Sequence, residues 1–135
     1  MRFNQVHFHQ DHIHPDSKFR DAKLRDVGID ENKWQDWQYI KDTIPNLQLM
    51  EGRENESKNA SYFKDWFKGT DNTGKKNVND PAKFCLDNFI PDTSFEFSNF
   101  ETFYAERKKI ITSKLTKVLN LNQAALNSNV SKTQH

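Results

Sequence analysis

Two short stretches of the chain alternate in polarity with a period of two, and they confine its sheet to two strands. In Gln5 to Asp11, the residues Val6, Phe8 and Gln10 alternate with His7, His9 and Asp11, giving one apolar face and one imidazole-rich face. In Asn46 to Met50, Leu47 and Leu49 share a face. The rest is helical or punctuation. Pro15 stops the first strand, and Phe19, Leu24 and Val27 have the spacing of a short helix from Asp16 to Val27, ended by Gly28. Asp30 or Asn32 caps a second helix carrying Trp34, Trp37, Ile40 and Ile44, which Pro45 closes. Gly52 turns the chain into a helix from Asn55 to Phe67, with Ala60, Phe63 and Phe67 on one stripe.

The C-terminal half follows the same logic. Residues 69–80 form a polar loop of turn formers, and Pro81 opens a helix with Phe84, Leu86 and Phe89 that Pro91 ends. Ser98 or Asn99 caps the last helix, whose Phe100, Phe103, Tyr104, Ile111, Leu115, Val118 and Leu119 are expected to face the core. Residues 127–135 are rich in Ser, Asn, Lys, Thr and Gln and are expected to be a disordered tail. The fold class expected is α+β in one domain, residues 1–126, with helices inserted between the strands and a C-terminal helical part over residues 81–121.

Composition narrows the setting. A chain of 135 residues builds one modest core, and 11 Phe make that core aromatic. Cys85 is the single cysteine, which excludes an internal disulfide and a multi-cysteine zinc site, and reads as a small buried apolar residue. The mean hydropathy of −0.98 leaves no apolar run able to cross a bilayer, and the N-terminus lacks a signal-peptide pattern. A cytoplasmic protein is expected. The net charge of +1 argues against tight, independent DNA binding.

Polar residues collect at three points: Asp11-His12-Ile13-His14-Pro15 after the first strand, Asn46 at the start of the second, and Asn55-Glu56-Ser57-Lys58 at the start of the following helix. If the strands pair and the helix crosses them, these points converge. A carboxylate and an amide oxygen suit a hard cation such as Mg²⁺, and the adjacent imidazole suits a general base near neutral pH.

Asp11-His12-Ile13-His14-Pro15, then Asn46-Leu47-Gln48-Leu49, then Asn55-x-x-Lys58 resembles the HNH (ββα-metal) endonuclease motif, in the version where Asn replaces the last His. It also resembles the C-terminal nuclease domain of GmrSD-type, modification-dependent restriction proteins, with Phe100-x-x-Phe103-Tyr104-x-x-Arg107 similar to the usual final helix. The motif core spans residues 6–67. The resemblance implies that Asp11 binds a Mg²⁺ or Mn²⁺ ion, that His12 deprotonates the attacking water, and that Asn55 completes the metal site or holds the scissile phosphate. It implies that Asn46 fastens the loop carrying His12 and that Lys58 contacts a phosphate. The implied activity is hydrolysis of DNA phosphodiester bonds in a restriction or phage-defence protein. Substrate choice would be left to an N-terminal or partner sensing, nucleotide-dependent domain absent from this chain. Zinc is not expected, because no flanking Cys-x-x-Cys pairs exist.

Each residue also has an ordinary role. Asp-His occurs in turns, Asn46 after Pro45 is a common turn residue, Asn55 is a possible helix cap, and Lys58 a possible solvated charge. His9 either approaches a metal or phosphate or forms a surface pair with His7, and His14 reads as structural. Trp34, Trp37 and Trp66 have helical spacing and read as core. The basic residues Arg107, Lys108, Lys109, Lys114 and Lys117 form either a solvated face or a track for the DNA backbone. The alternative to a nuclease is a non-catalytic HNH-like module that binds nucleic acid or protein. The 30 residues between Pro15 and Asn46 are long for a minimal HNH unit and are expected to add two helices. The start of the first strand close to Met1 suggests a domain taken from a longer polypeptide.

Overall fold

The computed structural model describes residues 8–51 and 61–133, with side chains for 10–48 and 61–128. Strands β1 (Phe8–His12) and β2 (Leu47–Glu51) pair antiparallel, with Phe8 opposite Glu51, Asp11 opposite Gln48 and His12 opposite Leu47. Their connection carries two helices, α1 (Asp21–Asp26) and α2 (Glu31–Ile40), flanked by 3₁₀ turns at Asp16–Phe19 and Ile44–Asn46. Helices α3 (Phe63–Lys68), α4 (Pro81–Asp87) and α5 (Phe100–Thr133) follow β2. The fold is α+β and mostly helical, with one two-stranded sheet among the described residues. No helix among them is long and apolar enough to cross a membrane.

Local chemistry sets these boundaries. Gly28 takes φ +78° after α1, a left-handed conformation that glycine adopts without a Cβ penalty, and Ile29 N–H then donates back to Leu24 O at 3.0 Å. Helix α2 stops at Ile40 rather than at Pro45, which instead opens the 3₁₀ turn leading into β2. Pro81 sits in the first turn of α4, where its missing N–H costs nothing, and the Asp80 side chain accepts from Lys83 N–H.

The helix expected from Asn55 to Phe67 is not continuous. Ser61 and Tyr62 are non-helical, α3 begins at Phe63, and residues 52–60 lie outside the described part. The break has a packing cause. Tyr62 lies against Phe97 in one aromatic cluster, whereas Phe63 belongs to another with Trp66 and Phe103. Neighbours on an extended chain point to opposite sides, which a helix does not allow, and Tyr62 is extended at φ −58°, ψ 148°.

The core is two aromatic clusters with a histidine between them. The first holds Ile13, Phe63, Trp66, Val78, Ile90 and Phe103; the second holds Phe19, Leu24, Trp34, Trp37, Phe97 and Phe100. His14 is fully buried, with its ring centroid 5.6 Å and 4.6 Å from Phe63 and Phe103, and 6.1 Å and 5.4 Å from Phe97 and Phe100. Edge-on contacts of this kind suit the positive rim and negative face of aromatic rings. His14 and the three tryptophans are therefore core residues.

Helix α5 departs most from expectation. Phe100 and Phe103 are buried, but Leu115, Val118 and Leu119 are more than half exposed, as are Leu121 and Leu126. The two clusters already close over the first three turns, so the helix continues past Ile111 with no core to meet. Its backbone remains helical to Thr133, beyond the predicted end of order at Leu126. A 34-residue helix is about 50 Å long, and more than half of it projects from the domain. We expect a chain ending at Lys117 to keep its unfolding free energy within about 0.5 kcal/mol of the full chain in urea titrations. A loss above about 2 kcal/mol would show that the distal half packs on the domain in solution.

Candidate active site

β1 ends with Asp11 and His12 on opposite sides of the strand. Asp11 is 8% exposed and shares its face with Gln48, itself buried. The His12 side chain is 25% exposed at the strand's end. Pairing continues one step further, since Ile13 N–H donates to Asn46 O at 2.8 Å.

Asn46 is the best-held polar residue of the region. It is fully buried, and its amide closes a two-way bridge with the His14 peptide: Oδ1 accepts from His14 N–H at 2.9 Å, and Nδ2 donates to His14 O at 3.1 Å. Nδ2 also donates to Lys41 O at 2.9 Å. The end of β1, the start of β2 and the end of α2 are thus fastened at one side chain.

That arrangement brings four charged or titratable groups together outside. His12 Nε2 lies 2.8 Å from Asp42 Oδ1. Lys41 Nζ lies 2.6 Å from Asp16 Oδ1 and 2.9 Å from Asp42 Oδ2. Burial opposes the charge on Lys41, but hydrogen bonds from its ammonium to Asp16 and Asp42 outweigh it and raise its pKa. The bond from Lys41, then that from His12, holds the Asp42 carboxyl below its ordinary value. Donor atoms of His12, Asp16 and Asp42 lie within 4.8 Å of one another, so this trio has the donors for a cation. As drawn, the Lys41 ammonium is the cation that the two carboxylates share.

The expected site residues meet different outcomes. Asp11, His12 and Asn46 all belong to the junction of the two strands, but the Asp11 and His12 side chains leave it on opposite sides. Asn55 and Lys58 lie outside the described residues, as does His7. His9 stands in β1 opposite Met50, with its side chain outside the described ones. Arg107 is neither solvated nor available to DNA. It is 4% exposed, and its guanidinium donates to Ile44 O and Leu47 O at 2.9 Å and to Asn88 O at 3.2 Å. Burial lowers its pKa to about 10, which leaves it a cation at neutral pH. Lys108, Lys109, Lys114 and Lys117 are exposed. Cys85 is half-buried rather than fully covered, and burial pushes its thiol pKa up.

Asp16, Lys41 and Asp42 were not among the sequence candidates. Their signal was position: Asp16 lies four residues after His12 and Asp42 four before Asn46, so both flank the motif's ends. No protein-family model and no curated protein matches the chain.

Replacing Asn46 by Ala would leave the buried N–H and C=O of His14 without these partners. We expect a loss of about 2–4 kcal/mol of stability, read from the urea midpoint. An unchanged midpoint would show that the amide bridge does not hold the strand junction.

Proposed function

We propose that this chain is a metal-dependent HNH-type endonuclease domain that hydrolyses DNA phosphodiester bonds, as the catalytic part of a restriction or phage-defence protein. The observation that carries the reading is the Asn46 bridge to His14. It fixes the backbone two residues beyond His12, so the imidazole at the end of β1 is presented from a rigid loop, as the HNH resemblance requires of its base. The ββα-metal core remains part of this proposal, because Asn55 and Lys58 lie outside the described residues.

Asp11 and Asn55 would hold the Mg²⁺ or Mn²⁺ ion. The fit rests on the donor set: a carboxylate and an amide oxygen suit a hard cation. When bound, the ion would stabilise negative charge on the phosphate and the leaving oxygen. The chain's own residues supply the rest. His12, with Nε2 turned to Asp42, has Nδ1 left to take a proton from water. Lys58 would bind a phosphate oxygen of the substrate.

A groove of about 450 Å³ lies between Gln10, Leu47, Asn88, Phe89 and Arg107, but His12 is not among its lining residues. The His12 side chain is 25% exposed, so water can reach the imidazole. With a net charge of +1, the domain would rely on a sensing domain or partner for tight DNA binding and for choice of site.

The test is cleavage of supercoiled plasmid with Mg²⁺ or Mn²⁺. Cutting should cease with EDTA, and His12→Ala should lower the rate by about 100- to 10,000-fold, the range of general-base catalysis. Asp11→Ala should remove metal-dependent cutting. Undiminished cleavage by His12→Ala would end the assignment of the base.

A further inference from the structure

We infer that Asp42 is a positioning residue for His12, holding the imidazole with its proton on Nε2 so that Nδ1 faces the attacking water. The inference rests on the proposed role of His12 as base and adds to it the acid that the inserted segment supplies. Its geometry is direct. His12 Nε2 and Asp42 Oδ1 are 2.8 Å apart, a distance at which a carboxylate accepts the Nε2 proton. A neutral imidazole carries one N–H, so committing it to Nε2 leaves Nδ1 as the acceptor.

A loose surface pair would not serve, but this one is held from both sides. Asn46 Nδ2 bonds Lys41 O, the carbonyl of the peptide joining Lys41 to Asp42, while the same amide grips the His14 peptide two residues after His12. One buried side chain therefore sets the spacing between acid and base. Lys41 fixes the carboxylate itself, with Nζ 3.0 Å from Oδ1 and 2.9 Å from Oδ2. It is in turn drawn to Asp16 at 2.6 Å. Asp42 would do for His12 what the buried carboxylate of a Ser-His-Asp triad does for its histidine, by fixing tautomer and ring direction. The same bonds explain why the His12, Asp16 and Asp42 trio is better read as an orienting network than as a metal cage: an ammonium already occupies the place between its carboxylates.

The test uses the full chain with ¹⁵N-labelled histidine. In alkaline buffer without metal, the two-bond ¹H–¹⁵N spectrum of His12 should show the proton on Nε2 and an unprotonated Nδ1. Asp42→Ala should give a mixture of tautomers and lower kcat for plasmid cleavage by about 10- to 100-fold, with KM for DNA unchanged. Because the Asp42 side chain is 58% exposed, this variant should fold with an unaltered urea midpoint. A proton on Nδ1 in the parent protein would overturn the inference. So would an Asp42→Ala variant with the parent's ring spectrum and the parent's kcat. His12→Ala separates the two ideas: if it still cuts DNA, the base is wrong. If it does not, while Asp42→Ala matches the parent in both rate and spectrum, only the role of Asp42 falls.

Discussion

The two hydrogen bonds between the Asn46 amide and the His14 peptide are the constraint on which the rest of the structure depends. They lie where the end of β1, the start of β2 and the end of α2 meet, and burial makes them costly to lose. Once the His14 backbone is fixed there, its ring is committed to the interior, where it joins the Phe63–Phe103 cluster to the Phe97–Phe100 cluster. Two residues earlier, the chain carries His12 to the surface. One amide bridge thus stands beside both a fully buried histidine and a partly exposed one.

Arg107 completes the junction from the other side. Its guanidinium reaches the carbonyls of Ile44, Leu47 and Asn88, joining α5 to the turn before β2 and to the end of α4. A two-stranded sheet is marginal by itself, and among the described residues it is supported by side chains that satisfy its backbone rather than by a further strand. Two buried polar residues close the junction: Arg107 holds the Ile44 and Leu47 carbonyls where β2 begins, and Asn46 holds those of His14 and Lys41 beside it. That is a stringent arrangement, because neither has a hydrophobic substitute that would satisfy the same carbonyls.

Much of this was legible in the sequence, and the misses are instructive. Period-two alternation found both strands, and helical spacing found the tryptophans and Phe100 and Phe103 in the core. The order of Asp11, His12 and Asn46 along the strands marked their junction. Three features escaped because each depends on tertiary geometry. Helical spacing reports a stripe on α5, but only the position of the two clusters shows that the core ends near Ile111. Arg107 reads as a surface charge until its three carbonyl partners are known. Asp42 lies thirty residues from His12, and nothing local shows that the inserted helices carry it back to the imidazole.

The near-zero net charge conceals a segregation that bears on the proposed chemistry. Residues 107–135 contain six basic side chains and no acidic one, so the remainder of the chain is net −5. Around His12 the excess is visible as Asp16 and Asp42, offset by Lys41. Under the nuclease reading, a phosphodiester approaching His12 meets two carboxylates whose charge Lys41 offsets only in part, so this patch by itself does not attract a polyanion. The lysines of α5 have the opposite sign, but beyond Ile111 they stand on a helix that projects from the domain. The proposed base and the chain's concentration of basic residues therefore lie in different parts of the chain. If the proposed chemistry holds, such a domain would rely on contacts elsewhere to hold a nucleic-acid substrate at His12.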